Sequence, residues 1–321
     1  MTKPNWALVI ALKESGGTVT ATRLQRLLGG AGVEETLAPL TRRGYHFEQT
    51  KSGGLRLAAW PRRLFAGEIA HGLGTDVVGR RVEVHWRVPS TNDLARAEAR
   101  RGREGTGVFT EEQTAGRGRF GRVWRAEKFS SLLFSVPLHS PRQAVAAEGL
   151  MLAGAVAVAE AVDETLGMRA DIRWPNDVLV EGRKVSGVLV EGLAPAAGDR
   201  WLIAGVGVNC IFESPPPAGI HATAAALSDF TDKPVDRALL ARAILRRLDW
   251  WWDILKAGES ARLTERWRSL SGILGEFVTV ESAGRRHRGR VVDLDAHFGL
   301  VLQMSGGPTR VFAPADATLV G

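Results

Sequence analysis

The stretch GRGRFGRVW, residues 116–124, combines three arginines with three glycines in nine positions. Guanidinium groups and backbone amides are strong donors to oxyanions, and glycines let one flexible segment bring several of them together. A carboxylate that attacks the α-phosphate of ATP must approach a second anion, so cations held between the two lower the repulsion. Arg117, Arg119 and Arg122 therefore predict a loop that holds a carboxylate beside a phosphate. A solvated basic loop is the alternative that this stretch alone leaves open.

The same glycines fit the G-x-G-x-x-G pattern of dinucleotide-binding folds. Such a fold needs a helix directly after the pattern, because the amino terminus of that helix meets the pyrophosphate. The residues that follow, VWRAEKFSSLLFSVPL, are typical of a strand, and no acidic residue is positioned to close a βαβ unit. We therefore reject a dinucleotide-binding loop.

Two further motifs carry polar side chains at the edges of apolar runs. PSTNDLA opens a helical pattern, and Ser90, Thr91 and Asn92 suit an N-cap, hydrogen bonds to a small polar ligand, or both. GRKVSGVLVE places Lys184 after a turn, in a chain with 35 arginines and seven lysines. A compact ammonium fits between a carboxylate and a phosphate where a planar guanidinium does not. A hairpin lysine in solvent is the alternative.

A third motif, RWPND, predicts a rigid turn that presents Asn176 and Asp177. Asparagine and aspartate are favoured in turns because their side chains hydrogen-bond to nearby backbone. The pair therefore caps the turn, contacts a ligand, or does both.

The elements that must position these motifs lie in a central segment, residues 67–270, where strand and helix patterns alternate. The strand patterns are VEVHWRV, GTGVFTEEQ, SLLFSVPL, DIRWPN, DVLVEG, KVSGVLVEG and WLIAGVGVN. Helical patterns cover STNDLARAEARR, the segment 144–166 and ALLARAILRRLDWWWDIL, whose three tryptophans we assign to packing. Residues 271–321 alternate in short runs, as in a small β-barrel.

Residues 1–66 predict a winged helix-turn-helix, with helical patterns in NWALVIALKES, TATRLQRLLGG and VEETLAPLTRRG and a hairpin around KSGG. Such a unit normally reads duplex DNA. The third helix, however, opens with Glu34 and Glu35, which carry the wrong sign for phosphates, and contains Pro39, which removes a backbone hydrogen bond. DNA binding and a unit kept for packing or regulation both remain open. The basic residues of this unit are Arg42, Arg43, Lys51 and Arg56.

Composition predicts a soluble globular protein: 45% of the residues are hydrophobic and 24% are charged, with a net charge of +7. We expect no membrane or export segment, because no apolar run has the required length and flanks. The single cysteine, Cys210, agrees with a reducing cytoplasm and is expected to be a small buried residue. The seven histidines lack metal-ligand spacing, so no structural metal is expected.

The motifs GRGRFGRVW, PSTNDLA, RWPNDVLV, GRKVSGVLVE and GVGVN together resemble those of biotin protein ligases in order and spacing. With the unit ahead of them, the chain resembles the bifunctional ligase and biotin-operon repressor form of that family. The resemblance implies an α+β fold: a winged helix-turn-helix, a central mixed-sheet domain of the biotin/lipoyl protein ligase type, and a C-terminal SH3-like β-barrel. It covers all three segments and is most specific between Ser90 and Asn209.

The resemblance implies that biotin and MgATP form biotinyl-5'-adenylate, whose biotinyl group passes to a lysine of the biotin carboxyl carrier protein of acetyl-CoA carboxylase. It implies catalytic roles for Lys184, Arg117, Arg119 and Asp177, with Asp177 also contacting Mg²⁺. The residues expected to bind biotin are Ser90, Thr91, Asn92, Gln113, Gly116, Arg117, Gly118, Arg119, Lys184 and Gly187. Those expected to bind ATP are Arg119, Arg122, Trp124, Arg173, Asn176 and Asn209.

Arg173 departs from the family, which commonly has lysine there, so charge is kept while donor geometry changes. The segment 212–221 is expected to cover the adenine, and Gly187, Gly205 and Gly207 to let backbone approach a ligand. Operator DNA and a homodimer through the central sheet are further expectations from the resemblance. A lipoyl or octanoyl ligase, and a ligand-sensing transcription factor without turnover, remain as alternatives.

Overall fold

A computed structural model of the chain describes residues 3–141, 144–193, 199–212, 224–295 and 299–320. Three helices and a three-stranded antiparallel sheet of order β1-β3-β2 form the N-terminal unit. Asn5 and Thr20 cap the first two helices through their side chains, and Gly29 ends α2 in the left-handed conformation. Its elements are α1 (Trp6–Glu14), β1 (Thr18–Val19), α2 (Ala21–Leu28), α3 (Val33–Thr41), β2 (His46–Gln49) and β3 (Leu55–Ala59).

A seven-stranded sheet of order β4-β5-β6-β10-β9-β8-β7 forms the centre of the molecule. Only β4 and β5 pair in parallel, so the sheet is mixed, and with its helices it gives the expected α+β class. Its strands are β4 (Val82–His85), β5 (Gly107–Thr110), β6 (Ser131–Ser140), β7 (Asp171–Arg173), β8 (Asp177–Val180), β9 (Arg183–Leu193) and β10 (Arg200–Asn209).

Five helices accompany this sheet, and two of them, α4 and α8, were not predicted. The 20-residue helix α6 is buried along most of its length because small and branched apolar side chains cover nearly its whole circumference. Trp251 and Trp252 of α7 are buried, as expected for packing residues, whereas Trp250 is 45% exposed. The helices are α4 (Ala66–Ala70), α5 (Thr91–Arg100), α6 (Ala147–Leu166), α7 (Arg237–Lys256) and α8 (Ser260–Leu270).

The C-terminal strands form a five-stranded antiparallel sheet of order β14-β13-β12-β11-β15. A β-bulge between Val291 and Asp293 interrupts its longest strand. These strands are β11 (Phe277–Ser282), β12 (Arg285–Asp295), β13 (Gly299–Met304), β14 (Thr309–Phe312) and β15 (Ala317–Val320).

The apolar side chains pack into two main cores. One lies wholly within the N-terminal unit, and the other joins the inner faces of the central sheet, its helices and the C-terminal sheet. Buried charges link the two: Lys13 Nζ of α1 lies 2.5 Å from Glu68 and 2.6 Å from Asp236, and the Tyr45 hydroxyl donates to Glu68 at 2.5 Å. These pairs join the N-terminal unit to the helix at Ala66–Ala70 and to Asp236, the N-cap of the helix at Arg237–Lys256, and removing one partner of such a buried pair costs about 3–5 kcal/mol.

No helix within the described ranges is both long and apolar enough to cross a bilayer. Cys210 is buried directly after β10, as expected. Burial raises the pKa of its thiol to about 12.

Candidate functional site

A cavity of about 680 Å³ lies between the central sheet, the arginine-rich loop and the last strand of the C-terminal sheet. Its lining includes Gly205 and Gly207 of β10, Lys184 and Gly187 of β9, and backbone or side-chain atoms of Thr318–Val320 on β15. The predicted motifs therefore meet at one place, although up to about 120 residues separate them in sequence.

The floor of the cavity carries a hydrogen-bonded network of short polar side chains. Gln113 Oε1 accepts from the backbone amide of Thr91 at 2.8 Å and from its hydroxyl at 3.1 Å. Ser135 Oγ lies 2.7 Å from Thr91 Oγ1 and 2.5 Å from Asn92 Oδ1. Ser90 is the N-cap residue of α5, but its side chain makes no capping hydrogen bond, so Gln113 satisfies the start of this helix instead. The arrangement fixes the donors and acceptors that a small polar ligand meets.

The glycines of β9 and β10 make room for protein side chains. A Cβ at Gly205 would lie 2.3 Å from Asn92 Oδ1, and one at Gly207 would lie 2.6 Å from the indole of Trp124. A Cβ at Gly187 would lie 3.2 Å from the same indole. The glycines of the motif GVGVN therefore let the side chains of Asn92 and Trp124 pack against the backbone of β10. From the sequence, we expected them to let the backbone approach a ligand.

The arginine-rich loop contains only a single 3₁₀ turn, Arg119–Gly121, so the helix that a dinucleotide fold requires is missing from this described stretch. Arg119 spans the cavity: Nη1 donates to Asn176 Oδ1 at 3.1 Å, and Nη2 donates to the carbonyls of Pro314 and Ala317. Burial lowers the pKa of Arg119 to about 10, which leaves it charged at neutral pH.

Arg117 lies at the root of the loop. It forms a bidentate pair with the carboxylate of Asp93, at 2.7 and 3.1 Å, and also donates to Glu191 at 3.3 Å. Hydrogen bonding to this guanidinium lowers the pKa of Asp93. Arg117 lines the cavity, and its donors are engaged by carboxylates of the protein.

Lys184 and Asp177 face each other across the hairpin of β8 and β9, with Nζ 2.5 Å from Oδ1. The alternative of a freely solvated hairpin lysine is therefore wrong. Asn176 sits in the turn after the cis peptide bond between Trp174 and Pro175, and its Nδ2 donates to the carbonyl of Val188 at 2.6 Å. The RWPND turn thus presents one carboxylate and one amide to the cavity, as predicted.

Nearly all of the predicted site residues line this cavity. The exception is Gly116, which lies behind the wall, where a Cβ would meet the carbonyl oxygen of Trp124 at 2.5 Å. Asn209 lines it while donating to the carbonyl of Ala225 at 3.1 Å. The residues found in the lining are Ser90, Thr91, Asn92, Gln113, Arg117, Gly118, Arg119, Arg122, Trp124, Arg173, Asn176, Asp177, Lys184, Gly187 and Asn209.

Three contributors were not predicted: Ser135, Glu191 and strand β15. Ser135 is a hydroxyl in the middle of the apolar strand β6, which is the one sequence feature that could have pointed to it. Of the segment 212–221 expected to cover the adenine, residues 213–221 lie outside the described residues.

Charge in the cavity is one-sided. Among the described lining residues, six side chains are cationic and a single one, that of Asp177, is anionic. Low-dielectric walls strengthen the field of such a cluster, so the cavity favours a ligand with several negative charges. The six cationic residues are Arg117, Arg119, Arg122, Arg125, Arg173 and Lys184.

A cationic loop over a polar floor suits a small ligand that carries both polar and negatively charged groups. Residues 84–209 match the biotin/lipoate A/B protein ligase family. Over 290 residues the chain is 29% identical to the bifunctional ligase/repressor BirA of Bacillus subtilis, with 89% of each chain covered.

The chain is also 32% identical over 244 residues to the biotin–[acetyl-CoA-carboxylase] ligase of Mycobacterium tuberculosis, covering 74% of this chain and 88% of that relative. A solved structure of a biotin protein ligase from Aquifex aeolicus in complex with biotin and ATP has a TM-score of 0.65 at 26% identity, covering 75% of this chain and 99% of that one. The chain belongs to the biotin protein ligase family.

Proposed function

We propose that this protein joins biotin to ATP, forming biotinyl-5'-adenylate and pyrophosphate, and then transfers the biotinyl group to a lysine of a biotin carboxyl carrier protein. The observation that carries this proposal is the excess of cations in a cavity whose floor is a fixed polar network. A biotin protein ligase of similar fold was solved with biotin and ATP, and a relative is named a biotin–[acetyl-CoA-carboxylase] ligase.

In this proposal biotin occupies the floor. The ureido ring is planar and carries both donors and acceptors, which match the hydroxyl of Thr91 and the amides of Asn92 and Gln113. Because Ser135 and Gln113 already hold these groups in place, little ordering remains to be done when biotin binds. The hydrocarbon chain then leads the carboxylate toward the cations of the loop.

ATP occupies the cationic part of the cavity, with Arg119, Arg122 and Arg173 near its phosphates and Asn176 and Asn209 toward the nucleoside. The buried indole N–H of Trp124 has no acceptor among the described residues, and a bound nucleotide would supply one.

Mg²⁺ arrives with the phosphates of ATP. Among the described residues no three His, Cys, Asp or Glu side chains cluster as a metal site, so a cage made of protein alone does not fit. One carboxylate together with substrate oxygens is a common arrangement for Mg²⁺, and Asp177 fits that arrangement. The pairing with Lys184 orients this carboxylate.

In the first step an oxygen of the biotin carboxylate bonds to the α-phosphorus, and the bond from that phosphorus to the pyrophosphate oxygen breaks. The nucleophile is already ionised, so no general base is required. Two unit charges 4 Å apart repel by about 4 kcal/mol at an effective dielectric of about 20. Lys184, which pairs with Asp177, and Arg119, which donates to Asn176, offset this repulsion. They also stabilise the charge that develops on the phosphate.

In the second step a neutral lysine amine attacks the acyl carbon and AMP leaves with the oxygen that joined the two. A free lysine has a pKa of about 10.4, so its amine must lose a proton before it attacks. We propose that Asp177 orients this amine. The closed loop keeps water from the mixed anhydride until the carrier protein docks.

The direct test mixes the protein with ATP, Mg²⁺ and one of three acids: biotin, lipoate or octanoate. Of the three acids, we expect only biotin to cause release of pyrophosphate. In a second incubation, we expect transfer of the biotinyl group to a carrier protein. Release with lipoate or octanoate instead would favour a lipoyl or octanoyl ligase, and binding of biotin without any release would favour a sensor without turnover.

A second proposed function is DNA binding by the N-terminal unit, which rests on relatives named bifunctional ligase/repressor. Arg42, Arg43 and Lys51 are exposed, whereas Arg56 pairs with Glu48 and so has less charge to offer phosphates. Binding of a duplex fragment from the promoter of biotin synthesis genes, lost in high salt and in a variant lacking the three exposed charges, would support it. If no salt-dependent binding of DNA is observed, the N-terminal unit is a packing element.

We further infer three domains, residues 1–66, 67–270 and 271–321, as a winged helix-turn-helix, a ligase domain and an SH3-like barrel. The separate N-terminal core and the antiparallel C-terminal sheet support this division, although the last two share one core. We also propose a cytoplasmic homodimer that pairs through the central sheet, which sedimentation with and without biotin would test.

A further inference from the structure

Three donors from two different segments converge on the carboxylate of Glu191, in β9. Asn92 Nδ2 donates at 2.8 Å, Arg96 Nη2 at 3.3 Å and Arg117 Nη2 at 3.3 Å. The Glu191 side chain is only 25% exposed, so these contacts are partly shielded from water. The carboxylate of Glu191 thus contacts Asn92 on the floor of the cavity, Arg96 on the same helix α5, and Arg117 at the start of the arginine-rich loop.

On the floor side, Glu191 fixes the orientation of Asn92. Its carboxylate can only accept, so the Asn92 NH₂ group must face it, and the Asn92 oxygen is left to face Ser135 at 2.5 Å. The amide packs against bare strand at Gly205, where a Cβ would lie 2.3 Å from Asn92 Oδ1. The amide therefore presents one defined face to the cavity.

On the loop side, Glu191 is the second acid on Arg117. Asp93 binds that guanidinium through two hydrogen bonds, and Glu191 adds a third on the same nitrogen that faces Asp93 Oδ1. Among the described residues, the Asp93 carboxylate accepts only from Arg117, whereas the Glu191 carboxylate accepts from both Arg117 and Asn92. Glu191 is thus the one described residue that bonds directly to both groups.

We propose that Glu191 is a positioning residue for adenylate retention: it couples the order of the arginine-rich loop to the geometry of the biotin floor. The proposal rests on the proposed ligase function. Glu191 itself stays outside the reacting atoms and acts through Asn92 and Arg117.

The test is the dissociation rate of biotinyl-adenylate formed on the enzyme, measured by chasing with excess unlabelled biotin and ATP. In Glu191→Gln the amide oxygen can still accept from Asn92, but one of the two negative charges on Arg117 is lost while that of Asp93 remains. Contacting charged residues commonly couple strongly enough for about a tenfold change in a rate or affinity, so we expect about tenfold faster release. The melting temperature should change little, because the side chain is partly exposed and ion pairs at such sites contribute little to stability.

Glu112→Gln is the matched control, since Glu112 is a partly exposed carboxylate paired with Arg87 and Lys128 and lies next to Gln113 in sequence. It should release the adenylate at the wild-type rate. A double-variant cycle with Arg117→Gln adds a readout that a purely structural residue would not move. If Glu191 acts through Arg117, the double variant should release the adenylate at most about twofold faster than Arg117→Gln alone.

Wild-type release in Glu191→Gln, or effects of the two substitutions that simply multiply, would overturn the proposal. A lowered melting temperature with an unchanged rate would also overturn it. If Glu191→Gln does not fold, Glu191→Asp keeps the charge with a shorter reach and should give an intermediate rate. Failure of the wild-type protein to form adenylate would refute the proposed function and this inference together, whereas adenylate formation with an unaffected variant refutes this inference alone.

Discussion

The guanidinium of Arg119 lies 3.0 Å from the backbone carbonyl oxygen of Ala317, so the arginine-rich loop is fastened to the last strand of the C-terminal sheet. The same side chain reaches Asn176 at 3.1 Å in the RWPND turn. A ligand enclosed by the loop is therefore held by three segments that are far apart in sequence, and Arg119 is the residue that joins them.

Replacing Arg119 with alanine should release the loop from both partners. Hydrogen bonds to a charged group contribute about 1.5–3 kcal/mol each, so we expect adenylate to dissociate at least about tenfold faster. Stopped-flow release measures this directly. Arg100→Ala removes an exposed arginine of α5 and serves as the charge-matched control. An unchanged release rate in Arg119→Ala would contradict the assigned role.

Lys184 should matter for the first chemical step more than for folding. Its ammonium faces Asp177 at 2.5 Å and is one-third exposed, so its loss costs little stability. Removing a group that stabilises developing charge costs about 10²–10³ in rate, and we expect Lys184→Gln to slow single-turnover adenylation by that factor. Lys256→Gln, an exposed lysine of α7, is the control. A Lys184→Gln variant that fails to fold would show instead that the lysine is structural.

The attachment of the N-terminal unit should depend on pH through Lys13. Burial alone lowers the pKa of this lysine, but the carboxylates of Asp236 and Glu68 outweigh burial, so its pKa is raised above 10.5. Its stabilising contribution is therefore present in full below pH 10.5 and lost as pH rises through the folded-state value.

Lys13→Met should accordingly destabilise the protein by about 3–5 kcal/mol at neutral pH, because two buried carboxylates lose their cation. Urea denaturation at pH 7 to 11.5 would measure the free energy of unfolding of wild type and variant. The difference between the two free energies should become smaller only at the alkaline end of this range. A difference that is constant across this range would argue against the charged contact.

Cys210 should resist alkylation in the folded protein. Its side chain is fully buried and burial raises the pKa of the thiol to about 12, so almost no thiolate is available at pH 8. We expect mass spectrometry to find modification by iodoacetamide only after unfolding in urea. Rapid modification of protein that keeps its melting temperature would show that the end of β10 opens locally.

The central sheet and the meeting of its motifs could be predicted because each motif sits at a turn or strand end with its own local pattern. RWPND and GRKVSG, for example, flank the two strands of one hairpin, so Asp177 and Lys184 had to be close. The helix α4 escaped prediction because five residues carry too little apolar periodicity, whereas Leu263, Trp267 and Leu270 of α8 have helical spacing that could have predicted it.

The long-range contacts of the site could not be predicted from sequence. Arg119 is held by the backbone carbonyls of Pro314 and Ala317, and a carbonyl is present at every residue, so no side-chain pattern marks it. In the sequence Glu191 follows the apolar run VLV and is typical of an exposed strand residue. Only the tertiary packing of α5 on β6 and β10, with β9 the next strand in the sheet, brings it to Asn92.

The most direct measurement of the central claim follows the oxygen atoms of biotin. Biotin with ¹⁸O in both carboxylate positions is incubated with the protein, ATP, Mg²⁺ and a carrier protein, and the AMP produced is analysed by mass spectrometry. If the carboxylate attacks the α-phosphate within this cationic cavity, each AMP carries one ¹⁸O. Unlabelled AMP, or biotin bound without AMP production, would contradict the account.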